Sequence, residues 1–185
     1  STRSRFAHQK LIAAFEEQKI NVLVGTQMVT KGLDFDHVSL VGILNSDSLL
    51  SYPDFRAFER GYQLMAQVAG RAGRKNRQGR VMIQAYNVSH PILAMVVQHD
   101  YMAMYHSQLA EREQFNYPPF CRIVQLSLRH VNADLINKAA DELAKSLRGL
   151  FGKRVLGPEY PTVSRIRNQY LKNVLLKFEK GIPLP

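Results

Sequence analysis

Cysteine is nearly absent from this chain. Cys121 is the only one in 185 residues, which excludes a disulfide framework and a zinc site built on paired cysteines. Nothing beside it in sequence forms an activated pair, so it reads as a small core residue rather than a nucleophile. Cysteine poverty also fits a reducing, cytoplasmic setting. The six histidines, His8, His37, His90, His99, His106 and His130, are scattered without ligand spacing and read as ordinary surface or core residues. No metal site is expected. No apolar run reaches about 18 residues, so no transmembrane helix is expected, and no basic amphipathic helix suggests membrane docking. The chain opens without a signal peptide or an initiator Met, as an excised piece of a longer protein does.

Acidic residues are also few: 15 Asp and Glu stand against 25 Lys and Arg, a net charge of +10. Such a balance favours a polyanionic partner, nucleic acid or a membrane surface. The excess sits in two places. Arg71–Arg80 carries five basic residues and no acid, and Lys153–Lys180 carries seven against Glu159 and Glu179. A solvated, solubilising face is the alternative reading of both.

Apolar residues make up 45% of the chain, enough for one ordinary domain or two small ones. Residues Phe6–Gln18 predict an amphipathic helix. Asn21–Val24 and Val38–Leu44 are short, Val/Ile/Leu-rich and not alternating, as strands buried on both faces of a parallel sheet are. Asp47–Pro53 reads as a loop, and a long helix is expected from about Asp54 to Arg71, with Pro53 and Asp54 at its start. A third strand follows at Arg80–Tyr86. This strand–loop–strand–helix–strand order is the α/β plan. Pro91–Gln98 and Tyr101–Phe115 read as helices. Asn116-Tyr-Pro-Pro119 then marks a boundary, since two prolines bar both a helix and a central strand.

Beyond the boundary the pattern changes. Val124, Leu126 and Leu128 alternate with Ile123, Gln125, Ser127 and Arg129, as in a half-buried antiparallel strand. Asn132 suits the cap of a helix with core stripe Ile136, Ala140, Leu143, Leu147 and Leu150, ended by Gly149 and Gly152. Val155–Pro158, Arg165–Tyr170 and Val174–Phe178 read as strands, giving a small β-α-β-β sandwich with a basic outer face. The domains are thus 1–116 and 117–185.

The chemistry concentrates in Gln67-Val-Ala-Gly-Arg-Ala-Gly-Arg74. On a helix, Gln67, Arg71 and Arg74 share one stripe, which Arg60 and Gln63 extend backwards. Phe58, Tyr62, Met65, Val68, Ala69 and Ala72 form the opposite, core face. Gly70 and Gly73 cost a helix about 1 kcal/mol each against Ala, so a helix terminus or a close backbone approach is expected there. Two arginines and a glutamine suit a highly charged anion, because the guanidinium fork pairs phosphate oxygens bidentately. An arginine supplied across a domain gap to a γ-phosphoryl group is worth about 10³–10⁵ in rate. The chain has no phosphate cradle of its own. Gly25-Thr-Gln-Met-Val-Thr-Lys31 lacks the second glycine, and Gly32 follows the lysine where Ser or Thr is needed. Either the cradle lies elsewhere in a parent protein, or the arginines hold nucleic-acid phosphate.

Gln67-x-x-Gly70-Arg71-x-Gly73-Arg74 resembles motif VI of superfamily 2 helicases, and Val24-Gly-Thr-Gln-Met-Val-Thr-Lys-Gly-Leu-Asp-Phe35 resembles their motif V. Asn45–Arg60, Tyr117-Pro-Pro119 and Val155-Leu-Gly-Pro158 are similar to landmarks of the PriA family of replication-restart helicases. The resemblance covers essentially the whole chain. It implies a fold: a partial RecA-like lobe with a parallel sheet, followed by a small α+β domain that helps bind branched DNA and single-stranded-DNA-binding protein.

The resemblance also implies roles. Arg71 and Arg74 would reach the γ-phosphate of ATP, which with its Mg2+ would be held mainly by a first lobe, and Gln67 would position them. Gly32 and Asp34 would border the nucleotide. Thr26, Gln27 and Lys31 would touch the DNA backbone. Arg165, Arg167 and Lys172 are candidates for phosphate or an acidic protein tail, with a solvated strand face as the alternative. Walker A, the Asp-Glu-x-His motif and the family's cysteine-rich zinc insertion are missing, so zinc is expected in the parent and not in this chain. The expectation is the C-terminal part of a monomeric, cytoplasmic, ATP-dependent 3′-to-5′ DNA helicase of the replication-restart primosome, inactive alone. The alternative is a non-enzymatic nucleic-acid or partner-binding module. A translocase without strand separation is a third reading.

Overall fold

In a computed structural model, residues 5–26, 37–70, 72 and 79–181 are described. The chain forms two units, Ser1–Met104 and Tyr105–Pro185. They divide within a helix, whereas the sequence places the boundary at Asn116–Pro119. Each unit is built around its own sheet.

The first unit contains helix α1 (Arg5–Glu16), strand β1 (Leu40–Ile43), helices α2 (Asp47–Leu50) and α3 (Ala57–Ala69), strand β2 (Arg80–Ile83) and helix α4 (Pro91–Val97). Strands β1 and β2 pair in parallel, Leu40 opposite Arg80 through Ile43 opposite Ile83. Ile43, Ile83 and Ala85 pack against a core of Leu50, Tyr62, Met65, Ile92, Leu93, Val96 and Met104. Leu40, Val81 and Met82 stay exposed, so the expected burial on both faces is not found. Among the described residues that core packs against Ile43 and Ile83, and the outward residues of the two strands have no such partner.

A strand at Asn21–Val24 is not formed either. Residues 21–25 join no ladder among the described residues, and Val22 and Val24 are 71% and 83% exposed. An apolar run becomes a strand only when a neighbour completes its hydrogen bonds. Both observed strands are also shorter than expected. The loop expected at Asp47–Pro53 begins instead as the single turn α2, which packs on α3 at Gly61. A Cβ at Gly61 would lie 2.7 Å from Leu50 Cδ2.

The carboxyl ends of β1 and β2 are tied together. Ser46, fully buried, donates its backbone N–H and its hydroxyl to the Gln84 carbonyl at 3.0 and 2.9 Å. The Asp47 carboxylate accepts the backbone N–H groups of Tyr86 at 2.8 Å and Asn87 at 3.1 Å. These two bonds hold its carboxyl below the usual carboxylate range.

Helix α5 (Tyr101–Gln114) leads to strand β3 (Cys121–His130), helix α6 (Ala133–Phe151), a short 3-10 turn (Gly152–Arg154), and strands β4 (Val155–Glu159), β5 (Arg165–Ile166) and β6 (Gln169–Glu179). β6 is the spine of this sheet, with β3 on one side, β4 on the other, and β5 turning back onto its start, all antiparallel. Asn132 caps α6, its Oδ1 accepting the Leu135 N–H at 3.0 Å, as expected.

The buried stripe of α6 is Ile136, Ala140 and Ala144, with Leu147 and Phe151 packed against Val155, Val174, Leu176 and Phe178. Phe151 therefore takes the place expected for Leu150, which is 77% exposed. Gly149 stays inside the helix and Gly152 ends it with φ +58. Cys121 is buried, its thiol donating to the Asn116 carbonyl at 2.9 Å, and burial pushes that thiol up. This is the core role expected of it.

Three outcomes follow. Gly157 has φ +88, and a Cβ there would lie 2.9 Å from the Asn173 carbonyl. Gly157→Ala is expected to cost about 1–3 kcal/mol, from left-handed strain and the clash. Leu150→Ser, on an exposed position, should stay within about 0.5 kcal/mol; denaturant melts of the two variants check the difference. The lowered Asp47 carboxyl contributes stability that is present above the ordinary carboxylate range and lost as pH falls through its folded value. Asp47→Asn should therefore melt below the parent at neutral pH, with the gap closing in acid. A gap independent of pH would contradict this role.

Candidate functional site

Helix α3 delivers the first candidate site. Its buried side, Ala57, Gly61, Tyr62 and Met65, is set by apolar residues recurring at helical spacing. Tyr62 lies against Tyr101, ring centroids 6.3 Å apart, and burial raises its hydroxyl. Phe58 meets the His90 ring edge-on at 5.0 Å, while His90 Nδ1 accepts the Ile92 N–H at 3.2 Å and caps α4. With that face committed, Arg60, Gln63 and Gln67 are left exposed on the other.

The helix begins later and ends sooner than the sequence suggests. Asp54 precedes it in a turn and gathers two cations. It accepts from Arg56 N–H at 2.9 Å and from Arg60 Nη1 at 2.7 Å. Partial burial would raise the Asp54 carboxyl, but the Arg56 bonds and the Arg56 and Arg60 charges outweigh it and hold it low. Gln63 donates to Glu59 Oε1 at 3.2 Å. Arg60 and Gln63, which extend the sequence stripe, are thus engaged locally. The last helical residue is Ala69, with Gly70 as C-cap donating to the Ala66 carbonyl at 3.0 Å. Gly70 has an ordinary right-handed φ of −66, and a Cβ there would meet only the Ala66 and Gln67 carbonyls at 3.6 and 3.7 Å, so neither conformation nor space at this terminus requires glycine. Gln67 sits exposed in that final turn.

Arg71 and Arg74 lie outside the described residues, as do Gly32, Asp34, Gln27 and Lys31. Thr26 is exposed where the described chain breaks off. Sequence reasoning passed over Ser46 and Asp47, which join the carboxyl ends of two parallel strands, the end at which open α/β sheets place ligands. The available signal was the polar cluster Asn45-Ser-Asp-Ser48 directly after an apolar run. Tyr52 is exposed, whereas Phe58 packs on the core.

In the second unit the structure brings Arg165, Arg167 and Lys172 together. Arg165 pairs opposite Tyr170 and Ile166 opposite Gln169, so Arg167 and Asn168 form a two-residue hairpin turn. Both have positive φ, 47° and 64°, as a type I′ turn requires. The expected continuous strand Arg165–Tyr170 is therefore two strands. The Arg165 guanidinium lies 4.9 Å from the Tyr170 ring centre and bonds Asn168 Oδ1. Lys172 Nζ lies 4.1 Å from the Tyr160 ring centre, and the Tyr160 hydroxyl donates to Asn137 Oδ1 at 2.8 Å.

The expected basic outer face is corrected. Cross-strand pairing puts Ile123, Gln125, Ser127 and Arg129 with Lys177, Leu175, Asn173 and Leu171 on the side away from α6. This is a mixed face, Leu171 buried and Gln125, Ser127 and Arg129 exposed, with a Ser127–Asn173 hydrogen bond of 2.9 Å. The positive charge collects at the hairpin instead. Among the described residues, no three His, Cys, Asp or Glu side chains group as metal ligands, and no helix is long and apolar enough to cross a membrane.

Comparison with known proteins matches the chain in two segments. Residues 1–76 match the helicase conserved C-terminal domain, a RecA-like lobe, and residues 113–183 match the primosomal protein N C-terminal domain. The chain is 37% identical to the replication restart protein PriA of Bacillus subtilis over 186 residues, covering 100% of the chain and 23% of that protein. It is 38% identical to PriA of Synechocystis over 184 residues, 98% of the chain and 22% of that protein. It is 42% identical to PriA of Chlamydia pneumoniae over 125 residues, 68% of the chain and 17% of that protein. The chain thus spans less than a quarter of the length of these relatives. With a helicase domain and a primosomal domain in the same order, and relatives matching across its whole length, the chain belongs to the PriA family of replication restart proteins.

Proposed function

We propose that this chain is the part of an ATP-driven 3′-to-5′ DNA helicase that supplies arginines to a shared ATP site. One observation carries the reading. Gln67–Arg74 lies within the segment matching a helicase C-terminal domain, yet the chain has no P-loop to hold a nucleotide itself. The ATP phosphates and their Mg2+ are then held chiefly by another lobe. Arg71 and Arg74 approach the γ-phosphate from this side, their planar forks pairing its oxygens as charge builds during transfer. Gln67, exposed at the end of α3, positions them. Gly32 and Asp34 border the nucleotide, and Thr26, Gln27 and Lys31 meet the DNA backbone and couple it to the ATP site.

Forked or single-stranded DNA, single-stranded-DNA-binding protein and other primosome proteins are the proposed partners, with the work done in the cytoplasm by a monomer. Zinc belongs to another part of the parent. The chain by itself is inactive as an ATPase, because the phosphates have no cradle. A second reading, a nucleic-acid-binding module without catalysis, is favoured by the basic hairpin of the second unit.

The separating experiment uses a protein that contains both lobes. Arg74→Ala is expected to lower DNA-stimulated ATP hydrolysis by about 10³-fold or more while DNA affinity stays nearly unchanged. Unchanged hydrolysis with weakened, less salt-dependent DNA binding would establish the binding module instead.

A further inference from the structure

The hairpin β5–β6 combines three features. First, it is uniformly positive: from Tyr160 to Phe178 the sequence contains no Asp or Glu. Among the described residues Arg165, Arg167 and Lys172 form no ion pair with a carboxylate, in contrast to Arg154, which meets Glu179 at 2.8 Å. Arg129, opposite Leu171, adds a cation on the other face of the strand alongside.

Second, two of these cations are propped on aromatic faces, Arg165 on Tyr170 and Lys172 on Tyr160. A ring face covered by a cation is not free to stack on a base. The same contact fixes the cation's position and leaves its outward N–H groups for an acceptor. Arg165 is held further by Asn168, and Tyr160 by Asn137.

Third, the turn is strained in favour of charge. Its first position, φ +47, is occupied by Arg167, where Asn or Gly is the comfortable choice. A long cation held in left-handed backbone at an exposed tip points to a use outside the fold.

Resting on the reading of the second unit as nucleic-acid-binding, we propose that this hairpin is a backbone reader. Arg165, Arg167 and Lys172 contact successive phosphates of a nucleic-acid strand, and Tyr160 and Tyr170 serve as struts for the cations rather than as stacking platforms. Binding there is indifferent to base identity and to the presence of bases.

The test measures binding of the full chain, by fluorescence anisotropy over a range of salt, to oligothymidine and to an abasic oligonucleotide of equal length. The two should bind alike. Arg165→Gln, Arg167→Asn and Lys172→Gln should each reduce the slope of log K against log salt by about 0.7 on a single strand. Arg167→Asn keeps the turn's preferred residue, so its melting temperature should equal or exceed the parent's while its slope falls. This separates a lost contact from a lost fold. Weaker binding of the abasic strand, removed by Tyr170→Leu, would overturn the proposal in favour of base stacking. Slopes untouched by all three substitutions would overturn it while leaving nucleic-acid binding by the chain intact. No binding to either strand would overturn the underlying reading as well, and capture of polyglutamate in their place would assign the hairpin to an acidic protein partner.

Discussion

Two parallel strands cannot be joined by a tight turn. The chain leaving one must travel back along the sheet before it can enter the next, and a helix is the economical way to do so. Leu40–Ile43 and Arg80–Ile83 are such a pair, and most of the first unit follows from it. The returning segment is α3, whose apolar side must face the sheet. Tyr62 and Met65 therefore go into the core with Ile43 and Ile83, and Gln67 is left on the outside near the end. Both strands finish at the same edge. Their last polar groups need partners there, and Ser46 and Asp47 supply them through Gln84, Tyr86 and Asn87. The end of α3 is thus held by a buried core.

The second unit solves a different problem with one long strand. β6 borders β3, β4 and β5, and its inward residues Val174, Leu176 and Phe178 meet α6. Because alternation commits those side chains to the helix, the intervening residues face outward. The start of β6 runs beyond the helix-covered core and pairs with β5, which is where Arg165, Arg167 and Lys172 assemble. Charge spread over 28 positions of sequence becomes a local feature only because a two-residue turn folds the chain back.

Much of this was legible. The amphipathic pattern of α3 and α6, the caps at Asn132 and Gly152, the antiparallel alternation of β3, the buried Cys121 and the order of the two units follow from local patterns whose physics is local. The misplacements have identifiable causes. Leu150 and Phe151 both continue an apolar stripe within the tolerance of helical spacing, and only the position of Phe178, 5.3 Å away ring to ring, selects the second. Arg165–Tyr170 alternates like a strand, yet the positive φ of Arg167 and Asn168 is a turn imposed by pairing with β6. The run Asn21–Val24 has strand composition, but composition supplies no neighbour.

The sequence by itself determined the class of each unit, the amphipathic faces, the absence of a P-loop sequence and the glutamine-arginine series that resembles a helicase motif. These rest on residue type and near-neighbour spacing, which the chain carries wherever it folds. Tertiary structure alone decided that Asp47 closes the strand ends, that Arg60 serves Asp54 rather than a stripe shared with Gln67, and that the positive charge of the second unit gathers on a hairpin rather than over a sheet face. The first and the last depend on which residue strand pairing brings near, Tyr86 for Asp47 and Tyr170 for Arg165, and register, not local propensity, sets that; Arg60 meets Asp54 because the chain turns between them before α3 begins.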